Sequence, residues 1–129
     1  EIKIKKTNFL AITKKNDSDY YVGSNGNLIK VKSDQTNLPF IFGDIDIKDF
    51  LQFKLTMDKS TFDFNTIKNL YYHKSRRWDV ETKDGLIIKL PLTQLKSALD
   101  LLIKISKDKE FQNIKVIDLR QNNQVIIDE

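Results

Sequence analysis

Few residues of this chain have side chains suited to catalysis or metal binding, and their spacing favours neither. His73 is the only histidine and there is no cysteine, so a general base or a metal site would lack its usual partners. Asp44, Asp46 and Asp49 are close in sequence, but they lack the glycine and the distal glutamate of an EF-hand loop. Their position at the start of a predicted helix explains them, because acidic side chains are favourable near a helix N-terminus. We therefore expect no cofactor, no metal and no enzymatic activity.

Two other residues suggest binding chemistry. Asp118 and Arg120 lie two apart on one face of a predicted strand. They form either a local surface ion pair, worth well under about 1 kcal/mol, or a site where Arg120 binds a partner carboxylate. Trp78, the only tryptophan, is either an exposed interface anchor or a core residue beneath a helix over residues 93–107, and its alternation with Val80 favours the core.

The composition is that of a folded domain with a mildly basic surface. The chain has 129 residues, enough for about one domain, with 22 basic and 18 acidic side chains and a net charge of +4. The two signs are interspersed, and no block of five like charges occurs. This scatter disfavours nucleic-acid binding, although a basic surface for nucleic acid or an anionic membrane stays open as an alternative.

Alternating apolar residues and turn signals predict most of the strands. In the first half they lie at residues 2–12, 20–22 and 28–31, with an extended segment at 38–43. Asn25-Gly26 marks a hairpin, because both residues tolerate positive φ. In the second half, strands are predicted at 70–72, 78–82, 86–90, 114–117 and 124–127, with a turn at Lys83-Asp84-Gly85.

Helix starts are predicted from residues that can cap them, which are Asp44 or Asp46, Ser60 or Thr61, and Thr93. The last of these helices runs to about Lys107 and has an apolar stripe formed by Leu95, Ala98, Leu99, Leu102 and Ser106, widened by Ile103. Asp100 and Lys104 are expected to pair on its outer side. The predicted fold class is α+β, with a mostly antiparallel β-sheet packed with two to three helices.

Read in order, the second half of the chain resembles a known family. Its motifs are Arg76-Arg77-Trp78-Asp79, the Asp84-Gly85 hairpin, Leu90-Pro91, the helix with Ala98-Leu99, Ile117-Asp118-Leu119-Arg120, and Val125-Ile126-Ile127. This series is similar to the extracytoplasmic β domain of the bacterial division proteins FtsQ and DivIB. The resemblance implies that residues 1–12 are the last strand of a POTRA module and that residues 13–129 form the β domain.

The resemblance also implies function. Members of the family are non-enzymatic scaffolds of the divisome, anchored in the inner membrane by an N-terminal helix, with this domain in the periplasm at the division septum. The β domain binds FtsB- and FtsL-like proteins when a partner segment adds a strand to its C-terminal sheet edge. By this resemblance, the partner-binding residues are Arg76, Arg120, Gln121, Asn123, Val125 and Ile127.

The chain departs from the family pattern near that edge. Gln121 stands where some members have an aromatic residue, and Asn122-Asn123 occupies a turn that often contains proline or glycine. The resemblance therefore implies strand pairing at this edge more firmly than it implies any individual side-chain contact. A POTRA-like chaperone module, which shares the chemistry of an open strand edge, is a further alternative.

Overall fold

Nine strands form one sheet in the part of the chain that the computed structural model describes, which is residues 8–32, 37–108, 113–121 and 124–128. The strands are β1 (Phe9–Lys15), β2 (Ser18–Gly23), β3 (Leu28–Lys30), β4 (Phe40–Phe42), β5 (Ile67–Tyr72), β6 (Trp78–Thr82), β7 (Ile87–Lys89), β8 (Val116–Asp118) and β9 (Ile126–Asp128). The helices are α1 (Ile47–Lys59) and α2 (Leu95–Ser106), with a 3-10 turn at Phe64–Thr66.

The spatial order of the strands is β3-β2-β1-β4-β5-β6-β7-β8-β9. Five pairs of consecutive strands are antiparallel, which are β1–β2, β2–β3, β5–β6, β6–β7 and β8–β9. β1–β4, β4–β5 and β7–β8 are parallel, and α1 and α2 lie in the crossovers of the last two pairs. The predicted α+β class with a mostly antiparallel sheet is confirmed.

Both helices cover one face of the sheet. In-register residues of neighbouring strands form a row across that face, comprising Thr13, Ile41, Leu70, Val80, Ile88, Ile117 and Ile127. Most of this row joins the buried residues of α1 and α2 in a single cluster. The alternating residues, such as Asp79, Lys89 and Asp118, lie on the opposite face, which neither α1 nor α2 covers and which we call the open face.

Trp78 belongs to the core, as predicted. It is buried and stacks on Phe53 of α1 with ring centroids 4.8 Å apart, while Phe50 and Tyr72 contact it at tilted angles. The sequence pattern predicts that Trp78 lies beneath a helix over residues 93–107. In the structure, the helix that contacts its indole ring is α1. The stacked rings join α1 to the start of β6.

α1 begins where the sequence indicates, but the next predicted cap is wrong. The Asp46 side chain accepts a hydrogen bond from the Asp49 amide at 3.2 Å, which satisfies a free N–H of the first turn. Ser60 ends α1 instead of opening a new helix, because its amide and hydroxyl both donate to the Met57 carbonyl. The following 3-10 turn is capped by Asp63.

The start of α2 also differs from its prediction. Thr93 is not the cap; the residue before the helix is Gln94, which has a left-handed backbone with φ of 57° and makes no side-chain capping hydrogen bond. The helix therefore starts after a bend of the chain at Leu92 and Thr93.

The buried stripe of α2 is close to the predicted one, and consists of Ala98, Leu99, Leu102 and Ile105. Ser106 is exposed rather than part of it, and its hydroxyl donates to the Ile103 carbonyl. Asp100 pairs with Lys96 at 3.7 Å, not with Lys104 as expected. The helix thus turns Ile105 toward the sheet.

Three predictions touch residues outside the described ranges, and the first is the strand predicted at 2–12, of which residues 2–7 are not described. The boundary drawn between residues 1–12 and 13–129 falls inside β1, and residues 1–7 are not described. The assignment of residues 1–12 to a POTRA module stays a prediction. Asn123, one of the predicted partner-binding residues, also lies outside the described residues.

Candidate functional site

The C-terminal strand β9 lies at one end of the sheet. It pairs antiparallel with β8, with Val116, Ile117 and Asp118 opposite Asp128, Ile127 and Ile126. An end strand points every second backbone N–H and C=O away from its neighbour, where a further strand can bond to them. The other end of the sheet is β3.

Side chains near β9 alternate between the two faces of the sheet. Val125 packs against the core cluster and Ile127 is half-buried opposite Ile117. Ile126 points to the open face opposite Asp118 and is 51% exposed. Ile126 therefore leaves apolar surface uncovered beside the sheet edge.

Arg120 follows β8 and is held by a carboxylate of its own chain. Its Nε lies 2.9 Å from Asp118 Oδ1 and its Nη2 lies 2.6 Å from Oδ2, and its amide donates to the same carboxylate at 3.0 Å. The guanidinium lowers the pKa of Asp118, and the carboxylate raises the pKa of Arg120. The local ion pair foreseen from the spacing is therefore formed, beside the edge strand.

A small cavity of about 120 Å³ lies between α2 and this edge. Gln121 and Gln124 line it from the β8–β9 connection, and Ala98 and Leu101 line it from α2. A side chain entering here would lie on the helix-covered side of β9. Gln121 is exposed, so it is placed to contact such a side chain.

Arg76 sits in the β5–β6 connection with a left-handed backbone, at φ of 70°. Its Nε lies 2.8 Å from Asp49 Oδ2, and its Nη2 lies 2.5 Å from Oδ1, so α1 holds the loop by a bidentate pair. The Tyr72 hydroxyl donates to the same carboxylate. Hydrogen bonds from Arg76 and then Tyr72 lower the pKa of Asp49 to about 2, and the carboxylate raises the pKa of Arg76.

The comparison with protein families decides what kind of domain this is. The sequence model of the family described as "Cell division protein FtsQ/DivIB, C-terminal" matches residues 11–120, most of the chain. This chain belongs to the FtsQ/DivIB family. The family is one of cell division scaffolds and is not known for enzymes. The match ends at Arg120, so β9 lies beyond it.

A solved structure supports the fold of this FtsQ/DivIB domain. The major extracytoplasmic domain of the trans isomer of the cell division protein DivIB from Geobacillus stearothermophilus superposes with a TM-score of 0.55 at 15% sequence identity. The alignment covers 74% of this chain and 87% of that one. No curated protein matches the chain. Among the described residues, no helix has the length and apolarity needed to span a membrane.

Around Arg76, a second cavity of about 600 Å³ opens between α1 and the start of α2. Phe53 and Trp78 form its apolar side, and Arg76 and Lys96 supply cations. Pro91 and Gln94 line both this cavity and the smaller one at the edge. These two cavities of the FtsQ/DivIB domain are therefore neighbours, and their linings join Gln124, just before β9, to Arg76.

His73 is engaged in a structural network. Its Nε2 lies 2.8 Å from Asp79 Oδ2, and Arg77 binds the other oxygen of Asp79 and also donates to the Leu90 carbonyl at 3.2 Å. Across residues 8–32, 37–108, 113–121 and 124–128, no cluster of three His, Cys, Asp or Glu side chains is arranged to hold a metal. This network ties the Arg-Trp strand to the residue before Pro91.

The predicted site residues thus fall into two groups. Arg120, Gln121, Val125 and Ile127 gather at the β8–β9 edge, while Arg76 lies across the two cavities. Sequence reasoning missed Asp49 as the partner of Arg76, since the two are 27 residues apart. It also missed Ile126, although the unbroken run Val125-Ile126-Ile127 must place one apolar residue on the open face.

Proposed function

We propose that this domain is a non-enzymatic divisome scaffold module that binds the extracytoplasmic segments of FtsB- and FtsL-like bitopic proteins. The partner segment adds a strand to β9 and so extends the sheet. The protein thereby links early and late division proteins at the septum. The position of β9 at the end of the sheet carries this proposal, because it leaves backbone donors and acceptors for a further strand.

The backbone geometry of β9 supports strand addition. The Asp128 carbonyl accepts from the Lys115 amide, so this residue bonds toward β8. By alternation, the backbone groups of Ile127 face away from β8. Val125 lies one residue before β9, and continued alternation would direct its backbone groups the same way as those of Ile127.

Arg76 and Arg120 have different parts in this proposal. Arg120 adjoins the edge, where a partner carboxylate can share its guanidinium with Asp118. Arg76 is already bound by Asp49, and it lines the larger cavity beside Lys96. A partner that continues from β9 over Pro91 and Gln94 would reach apolar surface and these cations together.

The family also suggests the setting of the domain. We place it in the periplasm, carried by a full-length protein that an N-terminal helix anchors in the inner membrane, with residues 1–12 ending a POTRA module. Nucleic acid is not an expected partner. Arg76, Arg77 and Arg120 are each bonded to an aspartate, which disfavours a free basic surface.

The test is a titration of the domain with the extracytoplasmic fragment of the FtsB-like protein from the same genome, followed by backbone amide NMR shifts. We expect the largest shifts at residues 116–121 and 124–128, with a second group around Arg76. Shifts confined to β3, or none at millimolar fragment, would contradict the proposal. In that case, anionic vesicles and DNA at low salt would be the next ligands to titrate.

A further inference from the structure

The open face of β9 carries two exposed side chains of different chemistry, Ile126 and Asp128. Ile126 continues an in-register row of charged residues, Asp79, Lys89 and Asp118. Asp128 continues a neighbouring row that passes through Ile87 and Val116, which are apolar. Both rows end at β9, so the next residue in each row would belong to an added strand.

The two aspartates near this edge, Asp118 and Asp128, differ in how free their carboxylates are. The Asp118 carboxylate is held at both oxygens by Arg120, so it has little left to offer a partner. Asp128 is exposed and stands next to Val116 in its row. Opposite charges directly across two strands stabilise the pair, and like charges destabilise it.

Strand geometry then fixes how a partner would meet them. Residues opposite Ile126 and Asp128 on an added strand are two positions apart and share the open face. The residue between them lies on the other face, beside half-buried Ile127 and on the side of the cavity that Gln121 lines. Each of the three positions therefore meets a different surface.

We propose that β9 selects a partner strand with an apolar residue facing Ile126, a lysine or arginine facing Asp128, and an apolar residue between them. Ile126 and Asp128 are then specificity-determining residues of the edge. This inference rests on the proposed strand addition and specifies the chemistry of the strand that is added.

The experiment measures the affinity of the FtsB-like extracytoplasmic fragment by calorimetry. Each lysine and arginine of the fragment is changed to glutamate in turn. We expect one such change to weaken binding to the wild-type domain about fivefold, the effect of one cross-strand charge pair. Asp128→Lys should weaken binding of the unmodified fragment by a similar factor. The same variant should restore the affinity of the one altered fragment whose glutamate faces residue 128. Asp44→Lys is the charge control, because Asp44 is exposed and follows β4, which is not a neighbour of β9 in the sheet.

A second pair of variants tests the apolar position. Ile126→Ser should weaken binding about fivefold, since it removes one apolar cross-strand contact. Ile29→Ser is its matched control, because Ile29 is 42% exposed on the opposite edge strand β3, and it should leave the affinity unchanged.

The outcomes separate this inference from the proposed function. If the fragment does not bind, or if Val125→Pro leaves binding intact, strand addition at β9 fails and the inference fails with it. If Val125→Pro abolishes binding but no fragment position responds to Asp128→Lys, strand addition stands and the specificity inference is overturned. Equal effects of Ile126→Ser and Ile29→Ser would also overturn it.

Discussion

The domain contains two arginine–aspartate pairs of similar geometry in different structural settings. Asp49 and Arg76 are 27 residues apart and join α1 to the β5–β6 loop, with Tyr72 as a third member. Asp118 and Arg120 are two residues apart and join nothing beyond the end of β8. The first pair holds the framework together, whereas the second presents a charge beside an open edge.

Both arginines have a raised pKa, because each is hydrogen-bonded to an aspartate. Their expected roles differ, because the two pairs join different parts of the chain. A bidentate pair between distant elements fixes a loop, so its loss should mainly affect stability. A pair within two residues restricts little of the chain, so its loss should mainly affect what binds there. Variants at both pairs test this division.

The largest expected effect is on the support of the Arg76 loop. A Cβ on Gly43 would lie 2.3 Å from the Tyr72 carbonyl oxygen, and φ at Gly43 is +109°, so Gly43→Ala must displace β5 near Tyr72. We expect a loss of about 3 kcal/mol in the free energy of unfolding, measured by urea denaturation. Gly85→Ala is the control, since Gly85 has φ of +88° but open space around it, and it should cost about 1 kcal/mol. Equal losses would contradict the close approach.

The second effect concerns the edge pair. Arg120→Glu should weaken binding of the FtsB-like fragment about tenfold at low salt, because it repels an acidic partner residue. The melting temperature should change by less than about 2 °C, since the lost pair is local and its guanidinium is about half exposed. Arg120→Gln, which removes charge without reversing it, should weaken binding by a smaller factor. Unchanged affinity of the glutamate variant would remove Arg120 from the site.

The smallest effect separates the two aspartates by pH. The pKa of Asp49 is lowered from 3.8 to about 2, so its carboxylate stabilises the fold above about pH 4 and loses that contribution as pH falls toward 2. Asp49→Asn should cost about 1 kcal/mol at pH 7, and its difference from wild type should shrink as pH falls below 4 and through about 2. Asp118→Asn should cost about 0.3 kcal/mol. A larger loss for Asp118→Asn would reverse the assigned roles, and chemical denaturation at several pH values measures both.

Features formed by residues close in sequence could be predicted, whereas contacts between distant residues could not. The Asn25-Gly26 hairpin, the Asp46 cap and the Asp118–Arg120 pair depend on neighbours within a few residues, and each was predicted. The Asp49–Arg76 pair needs α1 and the β5–β6 loop to meet in space, which no local pattern indicates. The start of α2 was missed for another reason, because Gln94 adopts a left-handed backbone that few residues of its type adopt.

The most direct test of the account compares Val125→Pro with Val125→Ala in binding the FtsB-like extracytoplasmic fragment. Both variants lose the side-chain contact with the core, but only proline removes the backbone N–H. Strand addition predicts that the alanine variant stays within a few-fold of wild type, while the proline variant loses measurable binding and remains folded. Equal affinity of the two variants would contradict strand addition at β9.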